Sequence, residues 1–99
     1  MYLMMSTHVR DYDDWKTGFD AGEPLRTSYD CTGHEIFRDA DDPGRLTVFL
    51  EFPSRERGDA FFADPKLKEN MAKAGVDAEP RTTWVTQTQR IDYRGRRAA

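Results

Sequence analysis

One cysteine, Cys31, occurs in the 99 residues, so an intramolecular disulfide and a multi-cysteine metal site are both excluded. No stretch approaches the roughly 20 apolar residues of a membrane-spanning helix, and no membrane partner is expected. The start lacks the basic flank and small-residue cleavage site of a secretory signal, so a cytoplasmic location is expected. Neither a Gly-rich dinucleotide loop nor a P-loop is present, and no cofactor is expected. The two histidines, His8 and His34, have no neighbour at metal-ligand spacing. Asp39, Asp41 and Asp42 lack the alternating ligands and distal glutamate of a calcium loop, which leaves a solvated turn and no metal. Arg90, Arg94, Arg96 and Arg97 form a basic end, but the net charge is −3 and no aromatic-interleaved basic surface accompanies them. No nucleic-acid partner is expected.

What is present reads as one domain, residues 1–90, followed by a basic C-terminal tail, 91–99. Hydrophobic residues make up 37% of the chain, ordinary for a globular protein. Residues 45–52 are β-branched and aromatic, free of Gly and Pro, and read as a strand closed by Pro53. Ser54 is placed to N-cap a helix carrying Ala60, Phe61 and Phe62. Asp64 and Pro65 start another helix, with Leu67, Met71 and Ala74 on one face and Gly75 as its stop. The first half repeats this order. Residues 2–9 read as a strand, Asp11 as an N-cap, and Tyr12, Trp15 and Phe19 as a helical stripe. Asp13 and Asp14 fall in the first turn, where the helix dipole favours negative charge. Pro24 predicts a break or kink, because an interior proline costs about 3 kcal/mol. A second strand over 32–38 and an Asp/Pro/Gly turn over 39–44 complete a hairpin. A loop over 76–80 leads to a fourth strand over 81–89, with a possible extension through Ile91 and Tyr93.

The order βαββαβ specifies an α+β, ferredoxin-like fold, a four-stranded antiparallel sheet with helices over one face. The other face then needs water or a partner. Leu46, Val48, Leu50 and Phe52 point one way and Thr47, Phe49 and Glu51 the other, while Tyr2 to Met5 are apolar on both sides. A homodimer packed through its sheet faces is expected. Glu51 is expected on a solvated or interface face, or paired with a cation such as Arg38; pairing is the favoured of the two.

His8 to Asp20, Arg38 to Pro43, Glu51 to Glu56, Phe62 to Pro65 and Met71 to Val76 together resemble the dimeric α+β barrel superfamily. Within it, these residues are similar to small antibiotic-biosynthesis-monooxygenase-like and cyclase-like proteins. The resemblance spans about residues 2–86. It implies a ligand cavity between the sheet and its helices, and an activity in bacterial secondary metabolism. That activity would be a cofactor-independent monooxygenase or a cyclase acting on an aromatic, polyketide-like substrate. Relatives also include haem-degrading enzymes and proteins with no known activity. The haem-degrading members need a histidine on the second helix, and residues 54–75 contain none. Two features depart from the pattern, the Gly22-Glu23-Pro24 interruption and the tail beyond the fourth strand.

For the cavity the resemblance implies, Trp15, Phe19, His34, Phe62, Met71 and Trp84 are the candidate substrate-binding residues, with Phe61 an alternative to Phe62. Aromatic walls suit a planar hydrophobic molecule, and the same residues would equally make an ordinary core. His8 is the candidate catalytic base, since imidazole is the side chain best suited to move a proton near neutral pH. Its alternative is a histidine hydrogen-bonded at a strand end. A non-catalytic ligand-binding or structural homodimer remains the second functional reading. Cys31 reads as a thiol of low reactivity.

Overall fold

The computed structural model describes residues 1–77 and 79–96. The elements run β1 (Tyr2–His8), α1 (Tyr12–Ala21), α2 (Glu23–Ser28), β2 (Gly33–Arg38), β3 (Arg45–Glu51), α3 (Arg55–Ala63), α4 (Pro65–Lys73), β4 (Arg81–Val85) and α5 (Tyr93–Arg96). The four strands make one antiparallel sheet in the order β2-β3-β1-β4. This is the expected ferredoxin-like arrangement, with each crossover helix delivered in two pieces.

Register decides which residues share a face. Leu3 lies opposite Leu50 and Trp84, Met5 opposite Val48, and Thr7 opposite Leu46, so these side chains point together toward the helices. On that side Leu3, Met5, Val9, Leu46, Val48, Leu50 and Phe52 are buried, joined by Trp15 from α1 and Phe61 from α3. Each such side chain fully removed from water contributes about 1.5–3 kcal/mol, most of it offset by the lost freedom of the chain. The opposite face carries Tyr2, Met4, Glu35, Phe37, Phe49 and Val85, on the side away from α1, α2, α3 and α4. Phe37 is 52% exposed and meets Phe49 edge to face at 5.9 Å.

The helix entries form as their sequences direct. Asp11 accepts from the Asp14 backbone N–H at 2.9 Å, Ser54 from that of Arg57 at 3.3 Å, and Asp64 from that of Lys66 at 2.8 Å. Each cap satisfies a donor that the helix cannot pair itself and is worth about 1 kcal/mol. Pro24 ends α1, and α2 restarts with it in its first turn. Gly75 closes the α4 segment at φ +82°, a conformation that favours glycine. Gly58 is needed for contact: a Cβ there would strike the Trp84 indole, which lies on α3 and donates from Nε1 to Asp59 at 2.9 Å. That contact ties the edge strand β4 to the helical layer.

Three expectations change. The fourth strand ends at Val85 and not at Gln89, because its partner β1 ends there, at the pair Tyr2 and Val85. No strand continues through Ile91 and Tyr93; Tyr93–Arg96 is a helical turn, and position 78 of the preceding loop and Arg97 of the tail lie outside the described residues. Glu51 does not pair with Arg38. It sits on the open face, where Thr32 Oγ1 donates to it at 2.6 Å, while Arg38 lies on the helix side, its guanidinium 4.1 Å from the centre of the Tyr12 ring.

Tyr29, just past α2, donates its hydroxyl to Asp64 at 2.6 Å, fastening the α2 end to the junction of α3 and α4. That bond, with the Lys66 N–H second, holds the Asp64 carboxyl below its ordinary range. A carboxyl that binds its proton less tightly when folded stabilises the fold above its unfolded pKa, and loses that contribution as pH falls through the lower, folded value. Tyr29→Phe should therefore reduce stability at neutral pH and weaken the loss of stability on acidification below about pH 4, measured by urea unfolding at stepped pH.

Candidate functional site

Between the helix-facing side of the sheet and α1, α2 and α4 lies an apolar cavity. Met5, Thr7 and Leu50 supply its floor from β1 and β3, and Trp15, Phe19 and Met71 its walls from α1 and α4. Counted out to bulk solvent its envelope is about 600 Å³, but the part open to the centres of water-sized spheres is only about 50 Å³. That space holds a few waters. A planar ligand must therefore part the walls.

The least buried wall is α4. It buries none of its residues completely, and it meets α1 at a seam of small residues, where a Cβ on Gly18 would stand 2.9 Å from that of Ala74. Close approach of two helices through small residues leaves little side-chain interlocking to break. By contrast α1 is anchored, with Trp15 only 3% exposed. Trp15 stacks on Phe19 at 5.0 Å, and Phe19 meets the His34 ring edge to face at 4.9 Å.

The break between α1 and α2 shapes the remaining wall. Because the chain turns at Gly22, Arg26 folds back beneath α1, with its guanidinium 3.8 Å from the Phe19 ring centre and Nη1 donating to the Phe19 carbonyl at 2.6 Å. Gly22, Leu25 and Arg26 all line the cavity. Arg26 is its one ionisable lining group among the described residues, and Thr7 and Asn70 are the other polar ones.

The sequence candidates separate accordingly. Trp15, Phe19 and Met71 line the cavity; at the adjoining pair it is Phe61 that does so, while Phe62 packs partly buried against the core. His34 is on the helix side but exposed, behind the Phe19 ring, and burial chiefly, with Arg26 and Lys16 adding repulsion, lowers its pKa. Trp84 shares that side of the sheet but is spent on Gly58, Phe52 and Asp59. His8 is not in the cavity. It alternates with Thr7 and so projects from the other face, where its Nδ1 lies 2.9 Å from Asp77 and its Nε2 3.7 Å from Asp42. There it ties the end of β1 to two loops. Burial raises the Cys31 thiol, in keeping with low reactivity.

Arg26, Asn70 and Thr7 had no functional signal of their own in the sequence. The one available clue was the Pro24 break, which turns the residues behind it out of the α1 face and back toward its end. No group of three metal-ligating side chains is found among the described residues. No helix among them is long and apolar enough to cross a membrane.

No family model matches this chain. No curated protein matches it either. Solved structures do. One is a proposed antibiotic biosynthesis monooxygenase from Bordetella bronchiseptica, with TM-score 0.76 and 16% identity over 89% of this chain and 96% of that one. SnoaB, a cofactor-independent oxygenase from Streptomyces nogalater, superposes with TM-score 0.68 at 12% identity, covering 88% of this chain and 93% of its own. A proposed antibiotic biosynthesis monooxygenase from Caulobacter crescentus gives TM-score 0.69 at 12% identity over 89% of both chains. The protein therefore has the ferredoxin-like fold shared by antibiotic-biosynthesis-monooxygenase-like proteins.

Phe19 is the hub of the aromatic wall, touching Trp15, His34 and Arg26. Phe19→Ala should cost about 3 kcal/mol in urea unfolding, the low end for a Phe→Ala change because the ring is only partly buried, and shift the tryptophan emission to longer wavelength; an unchanged midpoint and spectrum would contradict this wall.

Proposed function

We propose that this chain is a small-molecule enzyme of the cofactor-independent oxygenase kind, acting on an aromatic, polyketide-like substrate in the cavity between sheet and helices. The observation that carries this reading is the aromatic cavity itself, walled by Trp15, Phe19 and Met71, on a fold shared with a cofactor-independent oxygenase. The wall would orient a planar ring and exclude water from it.

In the proposed reaction an activated methylene of a phenolic ring system loses one proton to water as it leaves bulk solvent. The resulting anion gives an electron to dioxygen, the radical pair recombines as a carbon-bound peroxide, and the peroxide takes a proton back from water to become the hydroperoxide. Loss of water leaves a carbonyl, so one oxygen atom stays in the product and the other leaves as water, every electron coming from the substrate. Ring closure by the same carbanion is the cyclase variant. The protein's share is to hold the anion and keep it dry. His8, on the far face, is outside this scheme.

A homodimer joined through the open sheet faces belongs to the same proposal. Tyr2, Met4, Phe37, Phe49 and Val85 give that face an apolar centre with Glu35 and Glu51 beside it. Phe49→Asp should then turn a species of twice 11.5 kDa into a monomer in light scattering behind a sizing column; a wild-type monomer would contradict the dimer.

A second reading, a binding module without turnover, is favoured by one observation: the cavity lining carries no carboxylate or imidazole among the described residues. Oxygen uptake in the presence of dithranol, a tricyclic phenol with an activated methylene, separates the oxygenase from the other readings. The oxygenase raises uptake above the buffer rate by about one O2 per ketone formed, whereas the cyclase variant and a binding module both leave it at the buffer rate.

A further inference from the structure

Arginine is always charged, and burying it is costly unless the charge is met. Arg26 is 6% exposed, yet it forms no ion pair among the described residues. Its guanidinium spends one of five N–H donors, on the Phe19 carbonyl. That carbonyl already accepts from the Gly22 backbone N–H at 3.1 Å, so the end of α1 does not depend on the side chain. No buried side-chain nitrogen or oxygen lacks a partner among the described residues. The uncommitted donors therefore reach accessible space, and Arg26 is among the residues that line the cavity, while Glu23 and Asp20 lie near enough to favour its charge without pairing with it.

The surroundings fit an acceptor of matching charge. Gly22 leaves room for the guanidinium, since a Cβ there would lie 3.3 Å from Nη1. Phe19 holds it as a flat platform at 3.8 Å. Asn70 of α4, an exposed residue, also lines the cavity. A fork of donors beside an aromatic wall recognises a ring that carries an anionic oxygen.

Building on the proposed function, we infer that Arg26 is a specificity-determining residue: it selects aromatic ligands bearing an anionic oxygen, a phenolate, enolate or carboxylate, over neutral ones of the same shape. In an oxygenase this would lower the cost of ionising the substrate, and in a binding module it would set the ligand class.

Calorimetric titration at neutral pH tests it with three probes of similar shape: naphthoate, a nitrated naphthol ionised at that pH, and neutral naphthamide. Wild type should bind at least one anion about tenfold or more tightly than the amide. A preference for the carboxylate alone or for the phenolate alone supports the inference and identifies which oxygen is read. Arg26→Met should abolish the preference, lowering anion affinity by more than amide affinity, and Arg26→Lys should keep part of it. If the methionine variant does not fold, the lysine variant and the wild-type comparison decide the matter. Equal affinity for all three probes overturns the inference alone, since the cavity then still binds aromatics. Binding of none overturns it together with the functional reading, and a preference that survives Arg26→Met overturns Arg26 as its source.

Discussion

Successive side chains on a strand point to opposite faces, and the rest of this molecule depends on how that alternation falls in β1 and β3. In β1 it sends Leu3, Met5 and Thr7 toward the helices and Tyr2, Met4, Ser6 and His8 away from them. In β3 it does the same with Leu46, Val48 and Leu50 against Thr47, Phe49 and Glu51. The paired register makes the two sets coincide, so one face becomes the core and cavity floor. The other face is left with an apolar patch of Tyr2, Met4, Phe37 and Phe49 among polar residues. A slip of one residue would exchange them entirely.

The same alternation explains what could be read from sequence. β3 announces its faces, because its inward positions are aliphatic and Pro53 and Ser54 mark where it stops and α3 begins. β1 does not, because Tyr2, Leu3, Met4 and Met5 are apolar on both sides. The side from which His8 projects therefore cannot be read from the sequence. The caps at Asp11, Ser54 and Asp64 are local features, satisfied within three residues, and local features survive folding unchanged. The end of β4 is not local. It is set by where β1 runs out, a fact carried by a segment some 80 positions away.

The cavity lies between those two cases. Trp15, Phe19 and Met71 follow from helical periodicity, since a stripe that faces the sheet must border whatever space the sheet and helices leave. Arg26 follows from a defect. Had α1 continued unbroken, Gly22 and Pro24 would have no role. Because it breaks, a charged side chain that belongs on a solvated surface is folded under an aromatic ring. Natural sequences place such locally unfavourable choices at functional positions more often than elsewhere. The small space now open, together with the lightly buried α4, means that a ligand of the proposed kind would have to separate two helices at Gly18 and Ala74.

The central claim is that this space, and not the open sheet face, receives the ligand. A titration of isotopically labelled protein with naphthoate, followed by methyl and amide resonances, tests it most directly. The account predicts shifts gathered at Trp15, Gly18, Phe19, Leu67 and Met71. Shifts gathered instead at Tyr2, Phe37, Phe49 and Val85 would contradict it.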